Sequence, residues 1–140
     1  MFKRRLSIVV SVLCVVLLLS CVAIANDEPF KVKLNMFERL VTMGLLPQAG
    51  NFATLRIANE QNMVLGASDE ETVIAGLETT PEGGVIAKFG WDKIPEKEFT
   101  FKEAVLKLIR DALQKLDDEE KLTMEHFRVY EKFMLVEEEE

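Results

Sequence analysis

Between Thr100 and Leu116 the chain alternates apolar and charged positions in three- and four-residue steps. This spacing puts the apolar side chains on one stripe of an α-helix and the charged side chains on the opposite face. Thr100 and Glu103 also have the spacing of a capping box. We therefore predict an amphipathic helix over Thr100–Leu116 whose apolar stripe covers a core. The stripe consists of Phe101, Ala104, Val105, Leu108, Ile109, Ala112, Leu113 and Leu116.

A shorter helical pattern lies nearer the N-terminus and begins after Asn35, with Glu38 three residues on, again at capping-box spacing. Gly44 and Pro47 supply a stop signal for this helix. Its predicted core-facing stripe consists of Phe37, Leu40, Val41 and Leu45.

Two more helices are expected in the middle of the chain. Asn51 is a suitable N-cap for a helix that runs to about Asn62. Ser68 and Glu71 form another capping box, followed by a third helix with an apolar side of Val73, Ile74 and Leu77.

A last helix is predicted after Thr123, a suitable N-cap. Its stripe is Met124, Phe127, Tyr130, Phe133 and Met134, and we expect this face to pack antiparallel to the helix at 100–116.

Strand patterns are short. Phe30–Leu34 alternates apolar and charged residues, which indicates a short strand or merely an extended lead-in to the first helix. Val85–Trp91 is rich in strand-forming residues after the turn sequence at 79–84. The expected fold is therefore α+β and mainly helical, with about five short helices and a small antiparallel hairpin or three-strand sheet within residues 76–100. Phe89 and Trp91, at alternate positions of the predicted strand, would share one face. They are partner anchors if that face is exposed and core residues if it is covered.

The first 25 residues are typical of a targeting segment, because three basic residues precede an uncharged run from Leu6 to Ala25. Cleavage between Ala25 and Asn26 would release a soluble exported domain. Lipid attachment at Cys21, in a lipobox-like setting, would make a lipoprotein. An uncleaved run of about 20 apolar residues is long enough to span a bilayer. Each alternative exports the rest of the chain across a bacterial inner membrane, into the periplasm or beyond.

The domain boundaries follow from this division: a targeting or anchor segment at 1–25, one acidic domain at 26–136 and an acidic tail at 137–140. The segment holds three of the 17 basic residues and none of the 24 acidic ones, so 14 basic and 24 acidic residues remain, a net charge of −10. Such a charge disfavours binding to nucleic acid. Both cysteines, Cys14 and Cys21, lie in the segment, so a chain cut after Ala25 has no disulfide and no thiolate.

The remaining side chains offer little chemistry. Ser68 is better explained as a helix cap than as a nucleophile, and His126 lacks the second histidine of a zinc-binding helix. The acidic stretch that begins at Asp117 lacks the glycine and the final glutamate of an EF-hand loop at the required positions. We expect no catalytic residue, no metal site and no cofactor.

Three stretches resemble a family of small proteins of about a hundred residues that is common in phage and prophage genomes. They are LLPQAGNFATLRI at 45–57, the helix start at Ser68–Glu71, and KLTMEHFRVYEKF at 121–133. The resemblance covers most of residues 33–134 and implies no activity, cofactor or binding residue. The N-terminal membrane signal departs from the family pattern.

The favoured function is a non-enzymatic module that binds another protein in the cell envelope. One rival is a small hydrolase that uses carboxylates or His126, which would need a pocket that gathers these groups. A binding module would instead expose an apolar patch, for example around Trp91. The third alternative is a membrane-surface regulator held by an uncleaved anchor.

Overall fold

The computed structural model describes residues 28–135, and the predicted targeting or anchor segment at 1–25 lies outside them. The described part is a mainly helical α+β fold with five α-helices, as the sequence predicts, but it has two small antiparallel sheets where one was expected. The elements in chain order are β1 (Phe30–Leu34), α1 (Met36–Leu45), α2 (Phe52–Leu65), α3 (Asp69–Ala75), β2 (Leu77–Thr79), β3 (Val85–Ala87), a 3₁₀ turn (Trp91–Lys93), β4 (Lys97–Phe101), α4 (Glu103–Asp118) and α5 (Met124–Met134). No helix among these residues is long and apolar enough to cross a membrane.

The last two residues of strand β4, Thr100 and Phe101, lie within the range that the sequence predicts as helix. Strand β4 pairs antiparallel with β1, with Phe30 opposite Phe101 and Val32 opposite Phe99. Phe99 and Phe101 are both buried, because a strand places alternate side chains on one face. Helix α4 therefore begins at Glu103, and the predicted Thr100 cap is wrong. Thr100 is an exposed strand residue, and the N-cap is Lys102, whose side chain makes no capping bond.

Helix α4 supplies the centre of the larger core. Val105, Ile109 and Leu113 are at most 3 % exposed, as the predicted stripe requires, although Ala104 is exposed. Phe101 and Phe133 extend this core with ring centroids 5.2 Å apart in an edge-to-face arrangement, a favoured geometry for aromatic pairs.

Helix α5 runs antiparallel to α4. Arg110 Nε donates to the Phe133 carbonyl (2.8 Å) at one end, and the Tyr130 hydroxyl donates to the Asp117 carboxylate (3.0 Å) at the other. The bond to Asp117 raises the pKa of Tyr130. The predicted packing face of α5 is wrong at the N-terminal end of the helix.

Two residues of that predicted stripe, Met124 and Phe127, are 83 % and 55 % exposed. The buried positions of α5 are Val129 and Phe133, because α5 is rotated relative to its most apolar stripe so that it also contacts α1.

Helices α1, α2 and α3 begin at the side-chain caps that the sequence predicts. Asn35 and Ser68 each form the complete capping box, with Glu38 and Glu71 as its acidic members, and Asn51 accepts from Thr54 N–H. Helix α2 ends at Leu65 rather than near 62.

Helix α3 ends at Ala75 because Gly76 adopts a left-handed conformation (φ 61°), where a Cβ would also meet the Phe89 ring at 2.8 Å. Leu77 therefore begins β2 and does not extend the helix.

The hairpin joins β2 to β3 with Leu77 opposite Ala87. Strand β3 ends at Ala87, so the strand predicted to reach Trp91 is too long, and the two sheets have two strands each. The second, smaller core forms beside this hairpin from Met36, Ala75 and Ile94.

Candidate binding groove

Helix α1 presents an unexpected face to the core. Its buried positions include Glu38, Arg39 and Thr42, each at most 2 % exposed. The predicted core stripe is correct only at Leu45. Phe37 is 36 % exposed, and Leu40 and Val41 are only partly buried. The helix therefore buries charge and leaves most of its apolar stripe near the surface.

The buried side of α1 is held by ion pairs. Arg39 binds both carboxylate oxygens of Glu71, at 3.1 and 3.2 Å, and also donates to the carbonyls of Leu65 (2.8 Å) and Gly66. Lys97 reaches Glu71 from β4. Because a buried charge is costly unless it is paired and hydrogen-bonded, this network is what allows α1 to turn its charged side inward.

The electrostatic effect on Glu71 is large. Burial alone raises the pKa of this carboxyl, but hydrogen bonds from Arg39, Lys97 and the Ser68 backbone, together with the Arg39 charge, outweigh it and hold the pKa at about 2. Glu71 is therefore a permanently ionised structural anion near neutral pH, unlike a general acid, whose pKa is poised near the operating pH.

A second ion pair holds the adjacent residue of α1, Glu38. Lys132, on α5, donates to Glu38 and to the Lys33 carbonyl, both at 2.7 Å. Asn35 N–H donates to the same Glu38 oxygen at 3.0 Å. These contacts bind α1 to β1 and α5 and fix which way its outer face points.

The outer face of α1, which carries Phe37, Leu40, Val41 and Gly44, forms the floor of an open groove. The groove has a volume of about 530 Å³, within the range of typical ligand-binding sites. Other elements complete the lining: the hairpin, the loop after α1, helix α2, the 3₁₀ turn and the first turn of α5. The lining residues are Phe37, Leu40, Val41, Met43, Gly44, Gln48, Asn62, Gly84, Val85, Trp91 and Glu125.

Aromatic packing shapes the groove. The Phe37 and Trp91 rings lie edge to face with centroids 6.0 Å apart. Gly44 adds an open patch to the floor, since a Cβ built there meets no atom within 4 Å.

The groove has few polar groups, and they are acceptors or amides. Within the described part of the chain, Glu125 is the sole charged residue in the lining. The Asn62 Oδ1 atom is buried and has no hydrogen-bond partner within the described residues. This arrangement suits a surface that receives apolar side chains together with a few hydrogen-bond donors.

The structure separates the two aromatic residues that the sequence had paired. Trp91 is partly buried in the 3₁₀ turn and lines the groove. Phe89 is 63 % exposed, lies against Gly76 and is not part of the lining. Neither residue is on a strand. The other predicted sites, Cys21, Ala25 and Asn26, lie outside the described residues.

The remaining candidate residues make local contacts. His126 Nδ1 accepts from the Thr123 N–H at 3.1 Å, so this ring caps the start of α5. Asp117 and Asp118 belong to the end of α4 and bind Tyr130 and Gln114. Among residues 28–135, no three His, Cys, Asp or Glu side chains gather where they could hold a metal ion.

The chain matches no known family model, and neither a curated protein nor a solved structure matches it significantly. The functional argument therefore depends on the geometry of the groove.

Sequence reasoning found Trp91 but missed the groove itself. The sequence of α1 contained a signal for the groove. Its apolar stripe lies on one side of the helix, and the neighbouring charged residues Glu38 and Arg39 lie on another. Which side faces the core depends on Glu71 and Lys132, which are 32 and 94 residues away from their partners.

Proposed function

We propose that the domain is a non-enzymatic binding module that docks a segment of another protein in the groove on α1. The observation that carries the proposal is the partly exposed apolar stripe of α1 at the floor of an open cavity. An isolated apolar residue on a surface needs no explanation, whereas a concave apolar patch with an aromatic wall is typical of a recognition site.

The distribution of charge supports binding rather than hydrolysis. A carboxylate hydrolase needs two acids that flank a substrate, with pKa values pushed apart. The groove contains one acid, Glu125, while the strongly shifted Glu71 is tied up in an ion pair. His126 is a helix cap outside the lining.

We further propose that the module works outside the inner membrane of a bacterium. The basic residues at 3–5 and the apolar run to Ala25 support export, whether the segment is cleaved before Asn26, lipid-modified at Cys21 or retained. The resemblance to small phage and prophage proteins is compatible with an envelope module but adds no partner.

Site-specific photo-crosslinking in the expressing bacterium tests the docking proposal. A benzophenone amino acid at position 48 or 85 would lie at the groove, and one at position 52 or 73 would lie on other faces. Phe52 and Val73 are matched controls because they are apolar and 80 % and 75 % exposed.

We expect both groove positions to give the same covalent adduct with another polypeptide, and the control positions to give none. Equal adducts from all four positions, or adducts from the control positions alone, would contradict docking at the groove. Absence of any adduct from positions 48 and 85 would also count against it.

A further inference from the structure

We infer that the segment received by the groove is a basic amphipathic helix, an inference that rests on the proposed binding function and specifies its partner. Three features of the groove lead to this class of ligand: its apolar floor, its acidic residue Glu125, and the absence of basic residues from the lining that residues 28–135 provide.

The floor favours a helix as the occupant. Phe37, Leu40, Val41 and Gly44 follow the three- and four-residue spacing of one helical face. Helices pack when rows of side chains on one fit the grooves of the other, with axes about 8–10 Å apart. Gly44 removes a side chain from the end of this row, so a second helix can approach closely there.

An added strand fits less well. Strand addition binds a peptide through the free backbone groups of a sheet edge. The floor of this groove is a helix, whose backbone groups bond to one another, so recognition must go through side chains. A helical ligand would place apolar anchors at i, i+3, i+4 and i+7 on the floor.

The polar groups favour a ligand that carries positive charge and donors. Glu125 places an acidic residue in the lining, where the residues from 28 to 135 contribute no opposing base. Lys or Arg side chains flanking the apolar anchors would pair with this carboxylate. The net charge of −10 outside the targeting segment would also speed encounter with a cationic ligand.

Trp91 is the single tryptophan of the chain and lies in the groove, so its fluorescence reports occupancy directly. The probes are three synthetic peptides of about 18 residues, or five helical turns, with leucine at i, i+3, i+4 and i+7. Their polar positions are lysine in the first, glutamine in the second and glutamate in the third. The protein is the exported chain from Asn26 to Glu140.

We expect saturable changes in Trp91 emission with the lysine peptide, at an affinity about tenfold or more above that of the glutamate peptide. The difference should shrink as salt is added. Glu125→Gln should weaken binding of the lysine peptide by about two- to fivefold. The matched control, Glu131→Gln on another side of α5, should leave the affinity unchanged.

The outcomes separate this inference from the proposed function. Equal binding of all three peptides, or no effect of Glu125→Gln relative to Glu131→Gln, would overturn the basic ligand and leave the groove as an apolar docking site. If no peptide alters Trp91 emission, the helical ligand is overturned. The crosslinking pattern then decides independently whether another polypeptide occupies the groove.

Discussion

Buried charged residues join separate helices of this domain. Arg39 and Glu71 join α1 to α3 through a bidentate ion pair. The Arg39 guanidinium also lies 5.2 Å from the centroid of the Phe99 ring. Removing one member of a buried pair leaves the other charge without compensation, which is far more costly than losing an exposed pair. The stability of the domain should therefore depend on pH through Glu71.

Glu71→Gln is expected to lower the free energy of unfolding by about 3 kcal/mol at neutral pH. The pKa of Glu71 falls from 4.5 to about 2 on folding, so its contribution is complete above pH 4.5 and is lost as the pH falls from 4.5 to about 2. Urea denaturation at a series of pH values should show a steep acid slope for the native chain and a shallower one for the variant.

Glu70→Gln is the control for this experiment, because Glu70 is an exposed neighbour on the same helix. We expect it to change stability by less than about 0.5 kcal/mol and to keep the acid slope. Equal slopes for the native chain and Glu71→Gln would show that the ion pair does not control acid stability.

Glu120 is the second residue at which a single substitution is informative. It has φ 54°, the left-handed conformation, and ends α4 in a Schellman motif in which Lys121 N–H donates to the Leu116 carbonyl at 2.7 Å. Glycine is the residue best suited to this position. Glu120→Gly should raise the free energy of unfolding by about 0.5–1 kcal/mol, measured by thermal denaturation.

The same change one residue earlier should have the opposite sign. Glu119 has φ −88°, where glycine brings only additional flexibility, and it pairs with Lys121. If both glycine variants destabilise the domain equally, the left-handed turn at Glu120 is absent in solution.

At the scale of secondary structure, the start of α4 shows how a strand can overrule a helical pattern. Thr100 and Glu103 satisfy the rule for a capping box, but pairing with β1 extends the chain through Phe101 and buries two phenylalanines. Burial of large aromatic side chains contributes more than a cap, which is worth about 1 kcal/mol. The N-cap position of α4 consequently falls on Lys102, whose side chain makes no capping bond.

Lys102→Asp should therefore stabilise the domain by about 1 kcal/mol. An aspartate at the N-cap can accept from the free backbone N–H groups and places a negative charge at the positive end of the helix. The gain should be visible as a higher midpoint in urea. Thr100→Val, which keeps a β-branched strand residue and removes only the hydroxyl, serves as the contrast: a cost near 1 kcal/mol there would support the cap at Thr100 and contradict the observed start of α4.

At the scale of the whole molecule, α1 joins two cores and leaves one side open. The larger core lies around α4, and the smaller one lies between α1, α3 and the hairpin. Because both cores and both ion-pair networks hold α1, its outer face is a rigid floor rather than a loose surface. Rigid presentation of apolar anchors lowers the entropic cost of binding, which suits the proposed docking function.

Export can be tested on the whole chain in cells. We expect protease added to spheroplasts to degrade the domain while a cytoplasmic control protein survives, because every fate considered for residues 1–25 places the domain outside. Intact mass then distinguishes a soluble chain that begins at Asn26 from a lipid-modified Cys21 or a retained anchor. A full-length chain protected from protease would contradict export.

The sequence by itself determined most of the helices and their caps. Asn35, Asn51 and Ser68 were identifiable because capping depends on contacts within three residues, and the stripe at Val105, Ile109 and Leu113 was identifiable because it repeats along one helix. The alternation at Phe30–Leu34 likewise predicted β1. These features are local, so the order of residues is sufficient to specify them.

Only the tertiary structure decided which surface became the groove. The orientation of α1 depends on Glu71 and Lys132, and the start of α4 depends on the distant strand β1. No local pattern records such pairings, because their free energy comes from residues that meet only when the chain is folded. Local spacing made α1 amphipathic, and long-range ion pairs buried its charged side and left its apolar stripe partly exposed.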